Sequence, residues 1–293
     1  MPAPARRVAV VTDSASCVPA EQRERFGIGV VPYRLSWGRE SYQDLLDIGP
    51  EEFYERFLAG PPFATTSTPT PKDYAEAFGE AAKDRRGIVY VHVPARLTSS
   101  VNVARIGARE VGVRVAFVDA GTAGTPEGFV VLAASRAAHR GDDLDTVEKV
   151  AEDAARRVGM YVFLDTLEHL KRGGRIGEAA AVVATRLNIR ALLRVADGRI
   201  RFVTARHSRQ AATEALLSAV KAEVGDDPLR VGVLHGACRD EAEALAERLP
   251  GLLDVRHLGI AELTPVMGAH AGPGTLGIGY ERLVPDATDG ADA

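Results

Sequence analysis

The sequence has few cysteines and few aromatic residues, and its first apolar run is short. Only Cys17 and Cys238 are present among 293 residues, far apart and without partner motifs, which excludes a disulfide scaffold and a zinc ribbon. Aromatic residues make up 6% of the chain, so any internal pocket should be lined mainly by aliphatic side chains. The apolar run at residues 8–11 is too short for a signal peptide. We therefore expect a soluble, cytoplasmic protein.

A long hydrophobic run is also missing, with one apparent exception. Residues 263–280 form an uncharged stretch of 18 residues, but it contains five glycines and two prolines. A helix of that composition in lipid would leave backbone groups unpaired. We predict a loop-rich segment there, and no membrane span.

Charge of one sign does not dominate. The 36 basic and 40 acidic side chains leave a net charge of −4, which does not indicate a nucleic-acid binder or an acidic tail. Residues 171–209 are locally basic, with ten Lys or Arg against Glu178 and Asp197. This stretch either docks an acidic or phosphate-bearing partner or is an ordinary solvated face of an arginine-rich protein.

The hydrophobic pattern predicts an α/β fold. Short β-branched runs alternate with amphipathic helical patterns along the first half of the chain. Strands are predicted at residues 8–12, 28–35, 87–93 and 113–118, and helices at 50–58, 71–83, 98–111, 125–139 and from Asp142 or Asp143 to Val158.

The second half predicts a mixed sheet. Asp197-Gly198 separates two apolar runs, 189–195 and 199–204, which is typical of a β-hairpin. Further strands are predicted at 160–164, 231–234 and 255–258, with a helix at 240–249. We predict two domains, a mainly parallel α/β domain over residues 1–158 and a partly antiparallel α/β domain over residues 159–293.

No common enzyme motif explains the chain. The P-loop, Gly-x-Ser-x-Gly and His-Glu-x-x-His patterns are absent. Residues 272–277 match Gly-x-Gly-x-x-Gly, but only 16 residues follow, too few for a dinucleotide-binding unit. We interpret this match as accidental.

Several small hydroxyl clusters remain. They are Asp13-Ser14, Thr65-Thr66-Ser67-Thr68-Pro69 and Thr98-Ser99-Ser100, together with the glycine-flanked His270. Two of these clusters precede predicted helices, where hydroxyls and free backbone N–H groups can hold a carboxylate. The alternative is that they are ordinary helix caps.

The same motifs give the chain a family resemblance. The sequence resembles the DegV family, fatty-acid-binding proteins that act as lipid-carrying subunits of a bacterial fatty-acid kinase. The matching segments, in chain order, are Val10-Val11-Thr12-Asp13-Ser14, Val30-Val31-Pro32, Thr66-Ser67-Thr68-Pro69, Leu97-Thr98-Ser99-Ser100, Asp165-Thr166-Leu167-Glu168-His169-Leu170-Lys171-Arg172-Gly173-Gly174-Arg175-Ile176 and His270-Ala271-Gly272-Pro273-Gly274.

The resemblance implies a long-chain fatty acid buried between the two domains and no metal or other cofactor. It implies that Thr66, Thr98 and His270 hold the carboxylate, with Asp13, Ser14, Ser67, Ser99, Ser100 and Gly272 in support. It assigns Arg175 and Arg206 to docking with an ATP-binding kinase subunit or, transiently, with a membrane surface. Nucleic acid is not an expected partner.

Two positions depart from the family pattern. Thr98-Ser99-Ser100 stands where the family has Ser-Gly-Thr, and Asp119-Ala120 stands where it has Asp-Ser. Both changes bear on the head-group site.

Two other functions fit parts of the sequence. A stand-alone acyl hydrolase or transferase would use Ser67 or Ser100 as nucleophile and His270 as base. A nucleic-acid regulator would use the basic stretch, although no helix-turn-helix pattern is present.

Overall fold

The computed structural model describes residues 7–177 and 189–284. Within these ranges the strands are β1 (Val8–Asp13), β2 (Gly29–Val31), β3 (Arg34–Trp37), β4 (Glu40–Gln43), β5 (Thr65–Ser67), β6 (Gly87–His92), β7 (Arg114–Asp119), β8 (Val158–Leu164), β9 (Arg190–Ala196), β10 (Arg199–Arg206), β11 (Pro228–His235), β12 (Asp254–Glu262) and β13 (Leu276–Arg282). The α-helices are α1 (Ala20–Phe26), α2 (Pro50–Leu58), α3 (Pro71–Ala81), α4 (Ser100–Gly107), α5 (Thr125–Arg140), α6 (Leu144–Ala155), α7 (Glu168–Arg172), α8 (Arg209–Val224), α9 (Arg239–Arg248) and α10 (Pro265–Ala271).

The first sheet has four parallel strands in the order β2-β1-β6-β7. Every residue of β1 and β6 is buried, because α5 and α6 cover one face and α3 and α4 cover the other. Continuous apolar strands are expected in a sheet that is covered on both faces. The predicted mainly parallel α/β arrangement of the first half is confirmed.

The second sheet has six strands in the order β10-β9-β8-β13-β11-β12. Only β11 and β12 pair in parallel, so the sheet is mixed, as predicted. The β9–β10 hairpin turns at Asp197 and Gly198, whose φ angles are 55° and 69°. These positive angles are the ones required by the turn that Asp-Gly favours.

Successive residues of β8 point to opposite faces of the six-stranded sheet. Tyr161 and Phe163 pack with α8 and α9, whereas Met160, Val162 and Leu164 pack on the other face. This alternation follows from the two-residue repeat of a strand. The face away from α8 and α9 is therefore apolar as well.

A third, antiparallel sheet in the order β4-β3-β5 was not predicted. Residues 28–35 were predicted as one strand, and this is wrong. The segment divides at Pro32, so that β2 pairs with β1 while β3 pairs with β4 and β5. Proline has no N–H to donate to a ladder, so a change of sheet at this position loses no strand hydrogen bond.

Two other boundaries differ from the predictions. Helix α6 ends at Ala155, because Val158 is already paired with Glu281 as the start of β8. The predicted helix 98–111 is α4 followed by a short 3₁₀ turn. Residues 65–67, which belong to one of the hydroxyl clusters, form strand β5.

Residues 263–280 are more regular than predicted. They contain α10 and most of β13. The glycines of β13 do not form loops, and their missing side chains let neighbouring elements pack closely against the strand. A Cβ at Gly279 would lie 2.6 Å from Cδ of Pro126 at the start of α5. Among the residues described, no helix combines the length and apolar character needed to cross a membrane.

Strands β1–β7 lie in the four-stranded and three-stranded sheets, and β8–β13 lie in the six-stranded sheet. The predicted division between residues 158 and 159 stays a prediction.

Candidate functional site

A cavity lies between the carboxyl ends of the parallel strands and the open face of the six-stranded sheet. Its empty space, including the opening to solvent, is about 1000 Å³. The residues that line it are Ala15, Tyr33, Thr66, Ser67, Thr68, Val93, Leu97, Thr98, Ala123, Met160, Val162, Leu164, Leu170, Arg175, Leu193, Val195, Ile200, Leu234, Leu263, Val266, Met267, His270, Ala271 and Thr275.

The parallel sheet contributes one wall through its loops. Ala15 follows β1, Val93 and Leu97 follow β6, and Ala123 follows β7. Ligands of open α/β sheets bind outside the carboxyl ends of the strands, because the loops that leave those ends surround a crevice. The fold therefore places a binding cavity at this edge.

The opposite wall is aliphatic. It consists of Met160, Val162 and Leu164 from β8 and Leu193 and Val195 from β9, which share the face away from the helices. Tyr33 is the one Phe, Tyr or Trp residue among the described lining residues. The expectation of an aliphatic pocket is confirmed.

The cavity has a polar end where three predicted residues meet. Thr66 Oγ1 lies 2.8 Å from Nε2 of His270, and Thr98 lines the same space. The hydroxyl of Thr98 accepts a hydrogen bond from the backbone N–H of Ser100 at 3.2 Å. Residues that are up to 204 positions apart are thus brought together, as the family resemblance implied.

His270 is neutral at physiological pH. Burial, and secondarily the positive charge of Arg175, lowers the pKa of its imidazole from 6.5 to about 4. Its Nδ1 is buried without a described hydrogen-bond partner. A buried N–H without a partner is rarer than a buried acceptor without one, which favours the tautomer with the proton on Nε2. In that tautomer Nε2–H donates to Thr66, and the Thr66 O–H is free to donate to a ligand.

Strand pairing and helix packing hold these two side chains. Thr66 is paired with Leu35 of β3 in the three-stranded sheet. His270 is on α10, whose first turn is held by the backbone N–H of Val266 donating to the buried carboxyl of Asp44 at 3.2 Å. The three-stranded sheet and α10 both pack against the aromatic side chains of α2, in a cluster that includes Phe53.

Arg175 lies at the polar end of the cavity, although it was assigned to partner docking. Its Nε donates to the carbonyl of Leu97 at 3.1 Å, and Nη1 donates to that of Gly173 at 2.6 Å. Arg206 is exposed on β10, does not line the cavity, and donates to the carbonyl of Ala205 at 2.9 Å. The structure therefore separates the two arginines, and of the two only Arg175 lines the cavity.

Asp13 and Ser14 lie behind the cavity wall and do not line it. The carboxyl of Asp13 accepts from the N–H groups of Ala15 and Val93 at 3.0 and 3.1 Å, and the Ser14 hydroxyl accepts from the N–H of Tyr33 at 3.0 Å. The three N–H groups that donate in these contacts belong to residues that line the cavity, so the contacts fix the position of the lining. Burial raises the pKa of Asp13 from 3.8 to about 7, against the opposing effect of these hydrogen bonds.

The other predicted supporting residues differ in position. Ser67 lines the cavity, whereas Ser99 is exposed and does not. Ser100 is buried and accepts a hydrogen bond from the hydroxyl of the lining Tyr33 at 3.0 Å. Gly272 ends α10 with φ +79° and packs against His169.

The two departures from the family pattern differ in where they lie. Thr98 lines the cavity, while the adjacent Ser99 is exposed and does not line it. Ala120 is fully buried in the apolar core between the parallel sheet and α5 and α6. The methyl group at position 120 thus adds to the core rather than to the described cavity lining.

One of the two helix N-termini is capped. At α3 the Thr70 hydroxyl accepts from the N–H of Asp73, and the Asp73 carboxylate accepts from the N–H of Thr70, which forms a capping box. The residue that caps α3 is therefore Thr70, directly after the cluster at residues 65–69, whereas Thr66 of that cluster bonds to His270.

The hydrolase constellation does not form in the described residues. The hydrogen-bond partner of His270 is Thr66, and the hydroxyl of Ser100 is bonded to Tyr33. No described carboxylate orients the His270 ring. Residues 272–277 lead into strand β13, so the glycine-rich match lacks the helix that a dinucleotide-binding turn requires. No described group of His, Cys, Asp and Glu has the arrangement of a metal site.

Comparison with known proteins identifies the family. The model of the DegV family, described as uncharacterised proteins, matches residues 7–283. A DegV domain-containing protein of Streptomyces coelicolor is 36% identical over 278 residues, which cover 93% of this chain and 98% of the relative. The chain belongs to the DegV family.

Solved structures of DegV proteins share this fold. A DegV family protein from Thermus thermophilus, described as binding fatty acid, is 33% identical, with a TM-score of 0.87 over 94% of this chain and 100% of that one. A stearic-acid-binding protein from Eubacterium ventriosum has a TM-score of 0.86 at 22% identity and covers 94% of this chain and 98% of its own. The two-domain α/β fold class of DegV proteins is thus confirmed for this chain.

Proposed function

We propose that this DegV protein binds a long-chain fatty acid and presents its carboxylate to a separate ATP-binding kinase subunit. The observation that carries the proposal is a single cavity with aliphatic walls and one polar end, formed by Thr66, Thr98 and His270. The fatty-acid binding described for the Thermus thermophilus relative supports the same ligand class.

The walls suit a flexible acyl chain. Burying each methylene contributes about 0.8 kcal/mol, so a 16-carbon tail contributes roughly 10–12 kcal/mol before the cost of ordering the chain. Leu193 and Val195 from β9 and Leu234 from β11 offer branched aliphatic surface to such a chain. A flat aromatic ligand would find little stacking surface, because Tyr33 and His270 carry the only rings among the described lining residues.

The polar end suits a carboxylate. An unpaired carboxylate in this environment would cost several kcal/mol, so hydroxyl donors are needed. The Thr66 hydroxyl, fixed by Nε2–H of neutral His270, and the Thr98 hydroxyl supply them. Arg175 supplies the positive charge at the same end.

Presentation means that the chemistry is completed by another protein. A carboxylate oxygen attacks the γ-phosphorus of ATP, the bond from that phosphorus to the β–γ bridging oxygen breaks, and ADP leaves with acyl phosphate as the product. In this proposal the kinase subunit supplies ATP and its metal. The exposed Arg206 and the basic residues around it contact that subunit or, transiently, a membrane surface.

The first experiment tests the ligand. The purified protein is denatured, extracted into organic solvent and analysed by mass spectrometry. We expect one fatty acid per chain, and a lower content in Thr98→Val than in the control Thr213→Val, which removes a hydroxyl on α8. An empty extract together with no uptake of added palmitate or oleate would refute fatty-acid binding.

A second experiment tests presentation. Lipid-loaded protein is incubated with ATP and a cognate kinase subunit, and acyl phosphate is trapped with hydroxylamine. We expect Arg206→Ala to keep its fatty acid and to form acyl phosphate more slowly. Equal rates with and without this protein would overturn the role of presenting subunit.

A further inference from the structure

A second pocket lies beside His270, next to the polar end of the lipid cavity. Its empty space is about 500 Å³ including its opening. It shares Thr66, Arg175 and His270 with the cavity and adds Thr65 and Arg172. A group attached to a carboxylate at Thr66 and His270 would therefore reach this pocket directly.

Arg172 gives the pocket a positive charge of its own. Its guanidinium carbon lies 4.2 Å from the centre of the Phe63 ring, and Nη1 lies 3.5 Å from Nδ1 of His169. Stacking on a ring restrains the side chain without neutralising it. In residues 7–177 and 189–284 no carboxylate is within 4 Å of this guanidinium.

Arg175 gives the second charge. Two of its five N–H groups donate to the carbonyls of Leu97 and Gly173. These bonds fix the guanidinium plane while using neutral acceptors. In the described part of the chain this arginine also has no carboxylate within 4 Å, so its charge is available to an anion.

Gly173 lets the pocket form between these two arginines. A Cβ at this position would overlap Nδ1 of His270. The absent side chain therefore allows the backbone that carries Arg172 to lie directly against the imidazole. The pocket thus brings together the Thr66 hydroxyl, the neutral His270 ring and the two guanidinium groups.

We propose that this second pocket binds a phosphoryl dianion carried by the head of the bound acyl chain, with Arg172 and Arg175 as its counter-charges. The proposal rests on the proposed function and adds a product-binding role. A guanidinium is planar and its donors match phosphate oxygens in pairs. Two such charges suit a dianion, whereas the carboxylate of the fatty acid carries one negative charge.

The test compares hexadecyl phosphate with palmitate on the delipidated full chain by calorimetry. We expect Arg172→Gln to weaken binding of hexadecyl phosphate about tenfold, the loss of one charge-assisted contact, and to leave palmitate within about twofold. Arg109→Gln, at an exposed arginine outside both pockets, should change neither affinity. Unchanged melting temperatures would show that the selective loss is not a folding defect.

The possible outcomes distinguish failure of the phosphoryl pocket from failure of fatty-acid binding. If the wild type binds palmitate and Arg172→Gln does not lower the affinity for hexadecyl phosphate, the phosphoryl pocket is refuted while fatty-acid binding stands. Equal losses for both ligands in Arg172→Gln also overturn it, because they indicate a general effect on the cavity. No binding of either ligand to the wild type refutes fatty-acid binding itself.

Inorganic phosphate distinguishes the source of the anion. We expect it to bind weakly to the lipid-free protein and to reduce binding of hexadecyl phosphate at high concentration without displacing palmitate. If inorganic phosphate binds as tightly as hexadecyl phosphate, the pocket serves free phosphate and the chain-borne phosphoryl group is the wrong ligand.

Discussion

The hydroxyl of Thr66 and Nε2 of His270 form a hydrogen bond of 2.8 Å between two elements 204 residues apart in the chain. Thr66 comes from β5 of the small antiparallel sheet, and His270 comes from α10, which directly precedes the last described strand. The polar end of the cavity therefore depends on the docking of these two elements. Its hydrogen bond joins neutral groups, because burial lowers the pKa of His270 to about 4.

Removing the Thr66 hydroxyl should weaken lipid binding, while valine keeps the shape of the side chain. In Thr66→Val we expect about tenfold lower affinity for palmitate, because a hydrogen bond to a charged carboxylate is lost and Nε2–H of His270 loses its acceptor. A titration with a fluorescent fatty acid measures the change. Thr213→Val serves as the matched control, and equal affinities in the two variants would remove Thr66 from the head-group site.

Fatty-acid affinity should not depend on His270 ionisation between pH 6 and pH 8. With its pKa lowered to about 4, the imidazole is neutral throughout this range. The NMR titration of its ring protons should show an inflection near pH 4. An inflection near 6.5, together with affinity that falls as pH rises through that value, would mean that a cationic histidine holds the ligand.

Gly173 should tolerate no side chain. In Gly173→Ala the new Cβ would overlap Nδ1 of His270, so the ring or the backbone must shift. We expect a loss of about 1–3 kcal/mol in the free energy of unfolding and weaker palmitate binding. Gly112→Ala is the control, because a Cβ there meets no atom within 4 Å. Equal stability of the two variants in urea would contradict the close contact.

Buried Glu127 should make stability fall as pH rises. Both of its carboxyl oxygens are buried without a described partner, and burial raises its pKa well above 4.5. Above that pH the unfolded chain releases this proton and the folded protein keeps it, so the free energy of unfolding decreases with pH until the folded pKa is reached. The decrease approaches about 1.4 kcal/mol per pH unit for one proton.

Substitution isolates the contribution of this group. Between pH 5 and pH 8 the free energy of unfolding of Glu127→Gln, measured in urea, should decrease less steeply with pH than that of the wild type. The difference in slope should correspond to about one proton. Asp13 and Asp44, whose pKa values burial raises to about 7, maintain a residual decrease in the same direction. The control Glu247→Gln, at an exposed position, should leave the profile of the wild type. An unchanged profile in Glu127→Gln would show that this carboxyl is ionised in the folded protein.

Local signals predicted the elements that depend on local geometry. Asp197 and Gly198 adopt positive φ angles, so the hairpin they form could be inferred from two residues. Asp143 caps α6 by accepting from the N–H of Thr146 at 2.9 Å, which is again a contact over three positions. Pro32 is a local signal for a break within residues 28–35, but the partners of the two parts are distant in the chain, Asp13 for Val31 and Ser67 for Arg34, and no local pattern reveals them.

The candidate site was predicted in the same uneven way. Thr66, Thr98 and His270 were found through family motifs, and the cavity brings all three together. Tyr33 was missed, because its role depends on a hydrogen bond to Ser100, 67 positions away. Arg172 lies in the long motif, which assigns it no role, and only its stacking on Phe63 shows that it is held beside the polar end of the cavity.

Strand β13 lies between β8 and β11, although it follows every other strand of the six-stranded sheet in the chain. During synthesis the ribosome therefore releases β8 to β12 before the strand that joins them exists. His270 is also made only shortly before this closing strand. A growing chain consequently has neither a continuous cavity wall nor a complete polar end of the cavity until residue 282 has been added and β13 has inserted.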